Sequence, residues 1–80
     1  MSEIELRVLD VMSVVFKVRV DMIPENSAPG VLEQWDSLAH MNLVLALEEE
    51  FGFRFTDDEL MDLLSLKLVF TIVIDKLGSQ

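Results

Sequence analysis

No cysteine and no tyrosine occur in this sequence of 80 residues, and histidine and tryptophan occur once each. Without cysteine, disulfides, Cys-based zinc sites and an intrinsic thiol nucleophile are excluded. A lone histidine does not make up a typical zinc ligand set. Asp57-Asp58-Glu59 lacks the spacing of a calcium-binding loop, so no metal is expected. Basic residues are also scarce, 6 against 15 acidic ones, for a formal net charge of -9. Such a field repels phosphate backbones and argues against a nucleic-acid partner. It favours partners with basic patches, although the same charge also serves solubility. No apolar run approaches the ~20 residues of a membrane span. The segment Met1 to Asp10, with Glu3, Glu5, Arg7 and Asp10, lacks the basic start and apolar stretch of a signal peptide. A soluble protein of the reducing cytoplasm is expected.

Hydrophobic residues make up 51% of the chain. That supplies one small core and leaves a surplus, and surplus apolar surface usually marks a binding site. The length fits a single domain, 1–80, expected to be monomeric. From Ile4 to Val18 the set Ile4, Val8, Val11, Val15, Val18 reads as a helical stripe, despite the density of valine. Both prolines fall in the stretch Asp21 to Gly30, which reads as an ordered loop pinned by Met22, Ile23, Val31 and Leu32. Leu38 to Phe51 is rich in strong helix formers and ends at Gly52. Thr56 and Glu59 are spaced as a capping box for a short helix running to about Leu64. Ser65 to Leu77 closes the chain, with Ser65 as a cap and Gly78 as a stop. Local preference over Val69 to Ile74 suits a strand, but no second strand exists to pair with it, so a helix is predicted. The expected fold is all-α: a four-helix bundle of three longer helices and one short helix, with a long first loop.

On a helical wheel, Leu43, Val44, Leu47 and Phe51 gather on one side of the helix after Ser37, with His40 at the edge. Leu38, Met41 and Leu45 gather on the opposite side, among Asn42, Glu48 and Glu49. A helix docked on a small core needs one apolar stripe. The second is either packed under the Asp21 to Gly30 loop or offered to partners, for which methionine is well suited.

Ser37 heads this helix and can cap it, as can Asp36 just before it. A hydrolytic reading of Asp36, Ser37 and His40 fails on physical grounds. There is no G-x-S-x-G elbow, and an acid adjacent in sequence is poorly placed to orient a base. No catalytic residue is expected.

Trp35-Asp36-Ser37-Leu38, followed by Leu43-Val44-Leu45-Ala46-Leu47-Glu48-Glu49-Glu50-Phe51-Gly52, closely resembles the modification motif and second helix of acyl carrier proteins. Phe55-Thr56-Asp57-Asp58-Glu59 is similar to the stretch entering that family's third helix. The resemblance implies that Ser37 is esterified to 4′-phosphopantetheine from coenzyme A by a phosphopantetheinyl transferase. The thiol missing from the sequence would then arrive on a cofactor and carry acyl groups as thioesters. The resemblance further implies that Asp36 helps position the transferase or a metal it brings, and that Leu38 lies beside the arm. By the same resemblance Met41 and Leu45 meet partner enzymes, and Glu48, Glu49, Asp57, Asp58 and Asp62 meet their basic residues. Trp35 replaces a small residue before the motif and is expected to add apolar partner surface beside the site. Ala39 and Asn42 are uncharged where fatty-acid-synthesis members often carry acids. That departure points to a specialised carrier in polyketide, lipid-modification or natural-product synthesis. An aminoacyl, peptidyl or D-alanyl carrier, or an unmodified helical interaction module with Ser37 only a cap, remain as alternatives.

Overall fold

The computed structural model describes residues 2–78. Of the expected unit 1–80, residues 1, 79 and 80 lie outside the described residues. Four α-helices follow one another: α1 (Glu3–Phe16), α2 (Ser37–Phe51), α3 (Asp57–Met61) and α4 (Leu66–Gly78). A short 3₁₀ turn, Val20–Met22, opens the long first connection.

Each start is fixed by a side chain that satisfies backbone donors left free at a helix N-terminus. Ser2 and Glu5 form a reciprocal capping box at α1, and Thr56 and Glu59 form the predicted one at α3. The Ser65 hydroxyl accepts the Leu68 N–H at 3.2 Å and heads α4. At α2 the acceptor is Asp36. Gly52 ends α2 in the left-handed conformation at φ 71°, which glycine adopts without a Cβ penalty. Lys17 takes the same conformation after α1, and Val18 donates back to the Ser13 carbonyl. This turn ends the first helix two residues before the predicted boundary at Val18. The short helix likewise stops at Met61 rather than Leu64, because Asp62 closes its last turn onto Glu59 and Leu60. Gly78, expected as a stop, is the last described residue of α4.

Arg7 near the start of α1 pairs with Glu50 near the end of α2. Phe16 at the end of α1 packs on Trp35 just ahead of α2. The two helices therefore run antiparallel and form the largest interface of the bundle. Its filling is Val8, Leu9, Met12 and Phe16 from α1 against Leu43, Val44 and Leu47 from α2. Leu66, Val69 and Val73 of α4 close the core. Val69 to Ile74 is helical, as predicted from the lack of a pairing strand; among the described residues there is no β-strand. The buried line of α1 is rotated from the predicted stripe. Ile4, Val11, Val15 and Val18 are only half-buried, because α2 and α4 meet the helix along Val8, Met12 and Phe16.

The first loop is tied down differently from the expectation. Ile23 and Leu32 pack on the core, but Met22 and Val31 are exposed. Buried Ser27 takes their anchoring role: its hydroxyl donates to the Pro24 carbonyl at 2.6 Å. Its own carbonyl accepts the Leu66 N–H at 2.8 Å. One hydrogen bond therefore joins the middle of the loop to the start of α4.

Candidate functional site

The loop delivers the chain to α2 through Trp35. Its N–H donates to the Leu32 carbonyl at 2.9 Å, and its carbonyl accepts the Gly30 N–H at 3.3 Å. Its side chain is 0% exposed and lies 5.4 Å, centroid to centroid, from the Phe16 ring. The expectation that Trp35 enlarges the partner surface is thus overturned. A ring this large buries more apolar area in the core than any neighbour, and the loop seals it there. Its indole N–H still needs an acceptor and finds one in His40 Nδ1 at 3.0 Å.

Directly after this anchor the chain emerges. Asp36 and Ser37 are both exposed. Asp36 Oδ1 accepts the Ala39 N–H at 2.8 Å, and its carbonyl accepts the His40 N–H at 2.9 Å. Asp36 is therefore the N-cap, and the alternative in which Ser37 supplies that acceptor does not hold. The Ser37 hydroxyl is left at the surface on the first residue of the helix. The N–H groups of Ser37 and Leu38 have no acceptor within the helix. An anionic group at this position would meet free donors and the positive end of the helix dipole.

Ser37, His40 and Met41 of α2 line one side of a shallow groove of about 770 Å³, and Leu60, Leu63 and Leu64 line the other. The groove is mostly apolar, and Glu33 and Asp36 add carboxylates to its lining. Burial holds the His40 imidazole below its ordinary pKa, since the charged form is the costlier one to desolvate.

The second stripe of α2 is not covered by the loop. Leu38 is 72% exposed, Met41 59% and Leu45 61%. Met61 and Leu64 extend the exposed apolar surface to the α3 end of the groove. Glu49, Asp57, Asp58 and Asp62 are exposed as well. Ion pairs engage Glu50, Asp21 and Glu59 instead. Glu48 differs from its predicted neighbours. It is half-buried and accepts the Phe55 N–H at 2.9 Å, so it braces the turn after α2. Behind α3, Lys76 holds Glu59 at 2.8 Å and lies over the Phe53 and Phe55 rings. The hydrogen bond from Lys76, followed by that from the Thr56 N–H, keeps the Glu59 carboxyl below the usual range.

Three participants escaped sequence reasoning. Leu60 and Leu63 of the groove wall carry no signal beyond ordinary apolarity. His40 was legible only as an edge residue, since its tie to Trp35 depends on the loop folding back. The Trp35–His40 spacing of five residues across a helix start is the one clue the sequence offered.

No curated protein matches the chain significantly. The family model described as a phosphopantetheine attachment site matches residues 7–69, which include the whole of α2 and α3 and the loop between α1 and α2. The exposed serine, the donors free beside it and the groove leading away fit that group, and this chain belongs to the phosphopantetheine attachment site family, whose carrier domains bear covalently attached 4′-phosphopantetheine and include the acyl carrier proteins.

Proposed function

We propose that Ser37 is the attachment residue and that the protein is a monomeric, single-domain acyl carrier of the cytoplasm, without catalytic activity of its own. The observation that carries this reading is the exposed Ser37 hydroxyl, released from capping by Asp36 and set among free N–H donors. Ser37 and Leu38 would hold the phosphate through those N–H groups, and the apolar groove would border the arm. The bound group supplies a terminal thiol, which the chain lacks, for carrying acyl units as thioesters. The protein supplies attachment, orientation and a face for its partners.

That face is Leu38, Met41 and Leu45, flanked by Glu49, Asp57, Asp58 and Asp62. A phosphopantetheinyl transferase and the acyl-transferring enzymes that follow would approach it with basic residues around an apolar centre. Asp36 stands beside the reacting hydroxyl, where it would help orient the transferase or its metal. The pathway would be fatty-acid, polyketide or related lipid and natural-product synthesis. Uncharged Ala39 and Asn42 favour a specialised member over a standard fatty-acid carrier.

Incubation with coenzyme A and a broad-specificity phosphopantetheinyl transferase tests the reading. The intact mass should rise by one phosphopantetheine arm, and Ser37→Ala should abolish the rise. An unchanged wild-type mass with several transferases would leave only the unmodified interaction module. An amino acid rather than an acyl group on protein from its native host would make it an aminoacyl carrier.

A further inference from the structure

His40 is joined to the attachment site by two independent features. It lies three residues after Ser37 on α2, where side chains are neighbours with Cβ atoms about 5–6 Å apart. It also lines the same groove as Ser37. Its ring is fixed from behind. The buried Trp35 indole N–H donates to Nδ1 at 3.0 Å, and the two ring planes lie within 21° of each other with centroids 6.2 Å apart.

An indole N–H is a donor only, so it can bond Nδ1 only when that nitrogen carries no proton. The neutral ring must then carry its hydrogen on Nε2. Protonation would place a second hydrogen on Nδ1, facing the indole N–H. That would leave a fully buried donor without a partner, which is costly. With Nδ1 turned to the buried indole, Nε2–H is the ring hydrogen left over for the groove that this half-buried residue lines. A phosphate esterified to Ser37 would lie one bond from its Oγ, within reach of a side chain one helical turn on. Its oxygens accept hydrogen bonds and have no donor of their own. The other titratable groups that line the groove with His40 are Glu33 and Asp36. Asp36 already gives its carboxylate to the Ala39 N–H, and Phe16 brings no charge from α1.

We propose that Trp35 locks His40 as the Nε2–H tautomer and that His40 donates this hydrogen to the phosphodiester on Ser37, making it a positioning residue for the base of the arm. The inference rests on attachment at Ser37. It assigns Trp35 a second task beyond filling the core, and gives a physical reason for tryptophan and histidine to occur together in this sequence.

Nuclear magnetic resonance on the protein before and after loading tests it, with the site of loading first fixed by mass spectrometry. In the unloaded wild type, long-range ¹⁵N–¹H correlations should show His40 with its proton on Nε2. In the loaded wild type, the ³¹P resonance of the arm should shift with pH along the titration curve of the His40 ring. His40→Asn keeps an acceptor for Trp35 but removes the outer donor, and should displace the ³¹P resonance and abolish its pH response. His40→Gln places an amide N–H near the position of Nε2 and should return the resonance toward the wild-type value. A proton on Nδ1, or a ³¹P resonance blind to His40 titration in loaded wild type, would overturn the proposal without any variant having to fold. Loading at another residue would instead refute the attachment reading, and this inference with it.

Discussion

Leu43, Val44 and Leu47 on one side of α2 are buried, while Leu38, Met41 and Leu45 on the other stand 59% to 72% exposed. Both sets are apolar and share one helix. The inner set packs into the core with α1 and α4; the outer set is left mostly in solvent by the described residues. The difference teaches that hydrophobic residues on this helix have two separate jobs. One side contributes folding free energy, and the other holds apolar surface ready for a partner at the cost of leaving it in water. The same division operates over a shorter distance at the start of the helix, where buried Trp35 and exposed Ser37 are separated only by the capping Asp36.

Substitutions on the two sides should therefore separate stability from transfer. The largest effect is expected from Leu47→Ala, which opens a cavity at a fully buried position and should cost about 2–5 kcal/mol in denaturant unfolding. A loss below half of that range would mean the inner side is not the core. Asp36→Ala should cost about 1 kcal/mol, since it removes the N-cap of α2, while Asp36→Asn should recover most of it. Equal losses in both variants would show that capping is not the role of Asp36. Met41→Glu should change stability by less than about 0.5 kcal/mol, as surface replacements usually do. It should nonetheless slow acyl transfer to partner enzymes. A large stability loss with unchanged transfer would reverse the assignment of the two sides.

Acid should weaken the molecule in two windows. His40 is held below the ordinary imidazole value of about 6.5, so between the two values the unfolded chain binds more protons than the folded one. Stability then rises with pH through that window and is lost as pH falls across it. Glu59, held below the ordinary carboxyl value of about 4.3 by Lys76 and the Thr56 N–H, contributes above that value. Its contribution is lost as pH falls through the lowered one. Thermal melts from pH 7 to pH 3 should show both losses. His40→Asn should remove the upper one and leave the lower.

Helix order and type were legible because several local signals agreed: the Thr56–Glu59 box, the Ser65 cap, Gly52, and the absence of any strand partner for the valine-rich end. The two-sided pattern of α2 was also legible, but which side faced solvent depended on whether the first loop covered it. That is a tertiary fact with no local signature, and so is the burial of Trp35. An aromatic residue beside a surface motif reads equally well as a contact or as an anchor. Only the approach of Phe16 and His40 decides between them. Met22 and Val31 were misread for the same reason, since the loop is held through the Ser27 carbonyl and hydroxyl rather than through its apolar side chains. In the sequence Glu48 reads as the equal of Glu49, an acid for basic partner residues. Its bond to Phe55 N–H depends on the turn that Gly52 creates.

The central claim is that the chain is a handle for one tether, held at one oxygen. Peptide-level tandem mass spectrometry on protein purified from its native host tests this most directly. The account predicts a phosphopantetheine fragment from the peptide containing Trp35 to Leu38, with backbone ions assigning it to residue 37. An arm borne on any other hydroxyl, such as that of Ser65 or Thr56, would contradict it.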